Sequence, residues 1–249
     1  MTESPLLEVR RVEKRFGGLR ALAGVSFAVR PGEIAGLIGP NGAGKTTLFN
    51  VMSGVYRPDA GQVWFGGQEV SHLSGHRICR LGIGRTFQAV RPFLDMSVRQ
   101  NVLVGAHFGA ADGGRRGLRE RAEELLEFVG LRRKAGLPPR SLTLVERKMV
   151  ELARALATRP RLLLLDEILS GLNPTEMAYA TALIRKMRDE MGITILWIEH
   201  VMRALMSTCE RVVVLNYGQV LAEGTPAAVV QNPEVVKAYL GEKRVKAGG

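Results

Sequence analysis

A glycine-rich segment that follows an apolar run could bind a polyphosphate. Gly39, Gly44, Lys45 and Thr46 have the spacing G-x-x-x-x-G-K-[ST], in which residues without side chains let backbone N–H groups curl around an anion. A helix that begins near Lys45 adds the positive end of its dipole, the lysine can reach the β- and γ-phosphates, and the Thr46 hydroxyl can ligate Mg²⁺. The four fixed positions disfavour the alternative of a turn with a solvated lysine. We therefore predict a nucleoside triphosphate site formed by Gly39, Pro40, Asn41, Gly42, Ala43, Gly44, Lys45, Thr46 and Thr47.

Two carboxylates follow a run of four leucines later in the chain. Leu162–Leu165 is suited to a strand buried on both faces, and Asp166 and Glu167 come directly after it. Asp166 is predicted to hold Mg²⁺, and Glu167 is placed to orient or deprotonate the water that attacks a γ-phosphate. The alternative is a strand that ends in solvated acids. That alternative is common when one acid follows a strand, but it is a weak explanation for two acids in a chain with a phosphate loop.

Three further side chains are candidates for the same site. Gln88 could ligate the metal or sense the γ-phosphate through its amide oxygen. His200 follows the apolar run Ile193–Ile198, at the carboxyl end of a predicted parallel strand, where ligand sites of α/β folds lie. Phe16 could stack on an adenine ring, although a lone aromatic residue near a strand is as often part of the core. Gln88 and His200 are predicted to act in catalysis, Gln88 also in metal binding, and Phe16 in nucleotide binding.

The elements that must position these residues can be read from periodicity and from turn residues. Alternating apolar residues predict antiparallel strands at Leu6–Val12 and Val25–Val29, and a turn signal precedes another at Gln62–Phe65. A predominantly helical segment separates Gln88 from the acidic strand. Apolar runs at Arg211–Asn216 and Gln219–Glu223 predict two more strands after His200.

Helix ends are predicted from capping residues. Ser97 should cap a helix that runs to about His107, followed by a glycine-rich loop to Gly117, and the next helical stripe begins at Leu118 and ends at Gly130. The remaining predicted helix ends are Ser141 or Thr143 at the start of the next helix, Asn173-Pro174 and Thr225-Pro226 at two later starts, and Gly241 at the end of the last helix.

Charge and hydropathy restrict the possible partners and the cellular location of the chain. The 249 residues carry a formal charge of +11, which fits nucleic acid, an anionic membrane face or a well-solvated surface. No basic repeat is interleaved with aromatic residues, so we expect no nucleic-acid partner. No segment approaches 18 consecutive apolar residues and the first residues do not form a signal peptide, which predicts a soluble cytoplasmic chain. Cys79 and Cys209 are too few and too distant for a disulfide framework or zinc site.

The order of these motifs resembles the ATP-binding subunit of ABC transporters over nearly the whole chain. The phosphate loop, Gln88, a helical insert, Asp166-Glu167, the turn Ser170–Asn173 and His200 follow that family's order and rough spacing. The resemblance implies a cassette that hydrolyses ATP with Mg²⁺, and closes head to tail with a second ATPase subunit, identical or different, over two ATP molecules. It also implies two membrane-embedded permease subunits and a peripheral location on the cytoplasmic face of the inner membrane.

The resemblance also gives the fold class, the domain organisation and a subclass. We expect an α/β fold, a P-loop NTPase core with a mostly parallel sheet, an antiparallel β subdomain and an inserted helical subdomain. We expect a single domain. Residues 1–88 and 160–223 would form its core and β subdomain, residues 89–159 its helical subdomain and residues 224–249 a helical tail. Four segments look like the branched-chain amino acid subclass, relatives of which also serve urea and short amides: Phe16–Leu22, Gly36–Gly42, Gly84–Gln88 and Gly171–Glu176.

One segment departs from the family pattern. The family's Leu-Ser-Gly-Gly-Gln motif falls on Leu142–Glu146, here called the signature segment, which retains a hydroxyl at Thr143 but has neither glycine. Thr143 is expected to contact the nucleotide bound by the opposite subunit. Leu144 and Val145 carry side chains where glycine would allow close approach, and Glu146 adds a negative charge near an anion, so weaker closure is expected.

Two other classes of protein remain open at this point. A soluble ABC ATPase linked to nucleic acid fits the basic charge, but a single nucleotide-binding unit without a long coiled coil disfavours it. A small-molecule kinase also uses a phosphate loop, but it needs neither the helical insert nor the combination of Glu167 and His200.

Overall fold

The computed structural model describes residues 4–89, 91–109 and 115–246. Spatial contacts divide the chain into two units, residues 1–74 with 194–249 and residues 75–193. Along the chain the strands and α-helices are β1 (Leu7–Phe16), β2 (Leu19–Val29), β3 (Ile34–Ile38), α1 (Lys45–Met52), β4 (Ala60–Phe65), β5 (Gln68–Glu69), α2 (Gly75–Leu81), β6 (Ile83–Arg85), α3 (Val98–Phe108), α4 (Arg115–Phe128), α5 (Leu144–Ala157), β7 (Leu162–Asp166), α6 (Pro174–Met191), β8 (Thr194–Ile198), α7 (Met202–Met206), β9 (Arg211–Asn216), β10 (Gln219–Gly224), α8 (Pro226–Gln231) and α9 (Pro233–Lys246).

An antiparallel sheet in the first unit has the strand order β2-β1-β4-β5. Its first two strands form a hairpin and are longer than predicted, because the predicted strands ended where the alternation of apolar residues breaks. The pairing of β1 with β2 shifts register between Val9 and Val12, and Arg11 there has a left-handed φ of 48°. A bulge of this kind moves the later side chains to the opposite faces, so a strict period of two does not continue through it.

A second sheet in the same unit provides the edge at which the phosphate loop lies. β3 pairs in parallel with β9 on one side and with β8 on the other, and β10 continues the sheet as an antiparallel neighbour of β9. Every residue of β3 and β8 is buried, as expected for strands covered on both faces. Since parallel strands end at one edge, the segments after Ile38 and Ile198 emerge on the same side of this sheet.

The second unit combines two parallel strands with the helical insert. β6 and β7 pair in parallel from Ile83–Leu162 to Arg85–Leu164. α3 begins at the predicted cap, where Ser97 and Gln100 form a reciprocal capping box, and α6 begins at Asn173 with Pro174 in its first turn, also as predicted. α4 begins at Arg115 rather than Leu118, because arginine favours helix and no apolar periodicity is needed to start one.

Two more boundaries can be compared with the sequence. The Thr225 side chain accepts a hydrogen bond from the Ala228 backbone N–H and caps α8 as predicted. The predicted end of the last helix at Gly241 is wrong, because α9 continues to Lys246. A glycine inside a helix costs only about 1 kcal/mol relative to alanine, and the residues after Gly241 are mostly good helix formers.

The described residues therefore form an α/β fold with an antiparallel sheet, parallel strands and a group of inserted helices, which confirms the predicted fold class. None of the helices that the structure describes is long and apolar enough to cross a bilayer. Both cysteines are free thiols, and burial raises the pKa of Cys209 to about 12.

Candidate functional site

The phosphate loop between β3 and α1 has a backbone that side chains would obstruct. Gly39, Gly42 and Gly44 have φ values of 154°, 77° and 103°, a region that L-residues with side chains rarely adopt. A Cβ at Gly39 would lie 2.2 Å from the Leu215 carbonyl oxygen, and one at Gly44 would lie 2.6 Å from the Ala21 carbonyl oxygen. The first and last glycines are therefore fixed by packing against β9 and β2 as well as by their dihedral angles.

The start of α1 offers donors for an anion. Gly44 occupies the N-cap position, no side chain caps this helix, and no acidic residue lies in its first turn. The first backbone N–H groups of a helix have no partner within the helix, and the dipole is positive there. Thr46 is exposed at this end and Thr47 is half-buried. This helix start therefore offers donors suited to an anion, and nucleotide binding by residues 39–47 remains a prediction.

Lys45 supplies the positive charge inside the loop. Its side chain is largely buried, with the residue 7% exposed, and its ammonium group donates to the carbonyl oxygens of Gly39 at 2.6 Å and Pro40 at 3.0 Å. These contacts hold the ammonium over the curve of the loop. Phosphate oxygens bound by the loop N–H groups would therefore lie beside a cation that is already positioned.

The structure brings His200 to the edge of the sheet that carries the phosphate loop. His200 is exposed and follows β8, the parallel neighbour of β3. Its backbone N–H donates to Oε1 of Glu199 at 3.1 Å, and Glu199 is only 1% exposed. The buried glutamate thus stabilises the turn from which the histidine side chain projects.

Phe16 lies at the end of β1 in the same unit and is 42% exposed, so it is not a core residue. Its ring meets the edge of the Tyr56 ring at a centroid distance of 5.2 Å, and the Lys14 ammonium lies 5.7 Å from its centroid. An exposed ring of this kind has a face available for stacking. Nucleotide stacking by Phe16 remains a prediction.

In the second unit, Asp166 ends β7 with its carboxylate held in place. The residue is 2% exposed, and Arg85 donates from Nη2 to Oδ2 at 3.1 Å, with the arginine side chain only 6% exposed. The Asp166 backbone N–H also donates to the Thr86 hydroxyl oxygen at 3.2 Å. Burial lowers the pKa of Arg85, and the Asp166 charge opposes that shift. This pair fixes the direction of the carboxylate at the end of the strand.

Glu167 and Gln88, which are 79 positions apart in the sequence, are in direct contact. The Gln88 side-chain amide donates from Nε2 to Oε2 of Glu167 at 2.6 Å. Glu167 is half-buried and has a left-handed φ of 51°, which is uncommon for a residue with a side chain. The predicted catalytic glutamate and the predicted sensor glutamine are therefore one hydrogen-bonded pair.

Comparison with known proteins identifies the family. A sequence profile described as ABC transporter matches residues 22–170. The chain is 43% identical to the high-affinity branched-chain amino acid transport ATP-binding protein BraF of Pseudomonas aeruginosa, with 96% of this chain and 98% of that protein covered. The chain belongs to the ABC transporter family.

Further relatives agree with this assignment. This chain is also 41% identical to the high-affinity branched-chain amino acid transport ATP-binding protein LivG of Escherichia coli, with 96% of this chain and 98% of that protein covered. A second profile, described as branched-chain amino acid ATP-binding cassette transporter, matches residues 219–244. A crystal structure of an ATP-binding cassette of an ABC transporter in its ADP conformation has a TM-score of 0.88 at 30% identity, covering 96% of this chain and 100% of that one. The predicted P-loop NTPase core and the predicted ATPase activity are thereby confirmed.

The signature segment of this ABC chain forms a regular helix start. Thr143 is the N-cap of α5, and its hydroxyl oxygen accepts from the Glu146 backbone N–H at 3.4 Å while the Glu146 carboxylate accepts from the Thr143 backbone N–H at 3.0 Å. Oε1 of Glu146 also pairs with the Lys134 ammonium at 2.5 Å. The hydrogen bond from Lys134 lowers the pKa of Glu146, with burial acting in the opposite direction. Its negative charge is thus balanced locally, which the sequence did not reveal.

Three charged residues near these groups were missed by the sequence analysis. Arg85 holds Asp166. Lys148 and Glu151, one turn apart on α5, are 6% and 4% exposed. The available signal was their position within the apolar stripe of a helix, since long charged side chains are rarely so buried unless they are paired.

Three of the predicted site residues carry oxygen donors. The hydroxyl of Thr46, the carboxylate of Asp166 and the amide oxygen of Gln88 are all oxygen donors, the class that Mg²⁺ prefers. Among the residues that the structure describes, no group of three or more His, Cys, Asp or Glu side chains could hold a metal ion.

Proposed function

We propose that this chain is the ATP-hydrolysing subunit of an importer for branched-chain amino acids. The main observation behind the proposal is the phosphate loop, with its glycines at positive φ, an uncapped helix start and a positioned Lys45. Both BraF and LivG are branched-chain amino acid transport proteins, which supports this cargo over urea or short amides. Cargo would be selected by other subunits, because the residues described above recognise phosphate and not an amino acid.

Each site residue has a role in this proposal. The N–H groups of residues 39–47 and the Lys45 ammonium bind the phosphates of ATP, and Phe16 stacks on the adenine. Thr46, Asp166 and Gln88 would hold Mg²⁺, which neutralises charge on the β- and γ-phosphates when bound.

Glu167 orients the attacking water and accepts its proton, and Gln88 fixes the Glu167 carboxylate through their hydrogen bond. His200 contacts the γ-phosphate. Its place at the sheet edge beside the loop supports that role.

The proposed partners are two membrane-embedded permease subunits and a second ATPase subunit, identical or different. A related cassette, 25% identical with a TM-score of 0.79, is dimeric in a post-hydrolysis state with bound ADP and Pi, which supports a dimeric arrangement here. Thr143 would contact the nucleotide of the opposite subunit. The chain would act peripherally on the cytoplasmic face of the membrane, and no nucleic acid is required. Copurification with two polytopic membrane proteins would support these partners.

The roles of Glu167 and Lys45 can be separated by substitution. Glu167→Gln retains a similar shape but cannot accept a proton, so hydrolysis should slow at least about 100-fold, or about 2.7 kcal/mol, while ATP affinity stays near that of the wild type. Lys45→Ala should instead abolish tight ATP binding. Glu190→Gln, an exposed acid on α6, is the matched control and should behave as the wild type.

Phosphate release measured beside ATP binding distinguishes these outcomes. A Glu167→Gln variant that hydrolyses at the wild-type rate would move the general base elsewhere, with His200 the next candidate. Tight ATP binding by Lys45→Ala would contradict the phosphate loop assignment.

A further inference from the structure

Lys148 is a buried cation bound to the backbone around Glu167. Its ammonium group donates to the carbonyl oxygens of Glu167 at 3.2 Å, Ile168 at 2.9 Å and Ser170 at 2.7 Å. An ammonium group has three protons, so it can donate to these three carbonyls at once. The loop after β7 is therefore tied to α5 through one side chain.

This contact acts on a strained residue. Glu167 has a left-handed φ of 51°, a conformation that is unfavourable for a residue with a Cβ and persists only where the surroundings enforce it. Lys148 binds the carbonyl of Glu167 itself and those of two residues that follow. It therefore opposes relaxation of the backbone from which the Glu167 carboxylate projects.

One turn along α5, Glu151 holds the backbone beside Gln88. Its Oε1 accepts from the Phe87 backbone N–H at 2.7 Å. Glu151 is 4% exposed, and burial raises its pKa while the Phe87 N–H, Arg154 and Lys148 act in the opposite direction. Thus the same helix holds the segment before Gln88 and the segment that begins at Glu167, the two partners of the hydrogen bond described above.

We propose that Lys148 and Glu151 are positioning residues for hydrolysis, which set the place of Glu167 and Gln88 from a common helix. The inference rests on the proposed role of Glu167 as the base. Neither residue transfers a proton. Their action is to keep the Glu167 carboxylate and the Gln88 amide in the geometry that the attacking water requires, where a displacement of about 1 Å can cost 100-fold in rate.

Stability alone does not account for two charged groups at these positions. Burying charges carries a desolvation cost, and apolar residues of similar volume are often equally or more stabilising. The acceptors of Lys148 are also specific, since all three belong to residues 167–170. A charge that holds this loop has a function that an apolar side chain in the same space would not supply.

The test is a double-substitution cycle with single-turnover phosphate release on the purified full chain, at concentrations that allow self-association. Lys148→Met keeps the length of the side chain but removes its donors, and should lower the hydrolysis rate constant about 10- to 100-fold, with the ATP dissociation constant within about twofold of the wild type. Lys148→Arg should recover part of the rate. Lys186→Met, an exposed lysine on α6, is the control.

A positioning role also predicts non-additivity. In the Glu167→Gln variant the base is already lost, so adding Lys148→Met should lower the hydrolysis rate by less than about twofold further. Glu151→Leu should follow the same pattern, and Glu151→Gln should be milder because its amide oxygen can still accept from Phe87. If Lys148→Met does not fold by circular dichroism, Lys148→Gln takes its place in the cycle.

The outcomes separate this inference from the proposed function. The positioning role would be overturned if Glu167→Gln is slow while Lys148→Met hydrolyses ATP at the wild-type rate. It would also be overturned if the losses of rate in the double variant are fully additive. In both cases the proposed function stays intact. A Glu167→Gln variant with the wild-type rate would instead refute the base assignment on which the inference rests.

Discussion

Replacing Gly39 with alanine tests whether the packing of the phosphate loop determines its chemistry. The new Cβ would lie 2.2 Å from the Leu215 carbonyl oxygen, whereas real Cβ contacts essentially never fall below 3.0 Å. The loop or β9 must therefore move by at least about 0.8 Å, the difference between these two distances. A displacement near 1 Å at a positioned site can cost about 100-fold, so ATP affinity and turnover should fall by roughly that factor.

Gly32→Ala is the matched control for backbone strain. Gly32 precedes the same strand β3, has a left-handed φ of 72°, and has no atom within 4 Å of the position of its Cβ. The Gly32→Ala substitution should lower the free energy of unfolding by about 1 kcal/mol, or the melting temperature by about 2–4 °C for a domain of this size. ATP affinity should stay unchanged.

The assay is the affinity for a fluorescent ATP analogue, measured beside the melting temperature of each variant. If Gly39→Ala and Gly32→Ala bind ATP equally well, close packing against Leu215 does not set the geometry of the loop and this reasoning is wrong.

Three further outcomes are expected. Thr143→Ala should lower the free energy of unfolding by about 1 kcal/mol in chemical denaturation, since α5 loses its N-cap, and an unchanged midpoint would contradict the capping box. Because the hydrogen bond from Lys134 lowers the pKa of Glu146, its contribution to stability is present above its ordinary pKa and is lost as the pH falls through the lowered value. The Glu146→Gln variant should therefore lose less stability than the wild type as the pH falls below the ordinary pKa of a glutamate, as melting curves would reveal. Duplex DNA should bind weakly at physiological salt, and tight binding with a steep salt dependence, about −0.9 per neutralised phosphate on a log-log plot, would argue for a nucleic-acid partner.

Local sequence was sufficient for the features that depend on neighbouring residues. The phosphate loop was predicted from the spacing of Gly39 and Gly44 around Lys45, because both glycines are required by the conformation of a short segment. The caps at Ser97 and Asn173 were predicted for the same reason, since an N-cap and its helix are adjacent in sequence.

Local sequence patterns predicted the strand ends less well where a contact with a distant part of the chain makes a strand irregular. The bulge at Arg11 interrupts the alternation that predicts strands, and its carbonyl carbon and oxygen lie so close to Gly61 that no Cβ would fit there. That contact joins two strands distant in sequence. Because the prediction relied on the alternation of apolar residues along one strand, the predicted strand ended too early.

The sequence by itself was enough to predict the reacting groups, because the loop, Lys45, Asp166 and Glu167 each follow from residue type and local spacing. Only the tertiary structure decided how these groups are supported. Arg85 beside Asp166, and Lys148 around the carbonyls after β7, are pairs formed across 81 and about 20 positions of sequence. Such pairs have no periodicity, because a buried charge is satisfied by whichever acceptors folding brings within hydrogen-bonding distance.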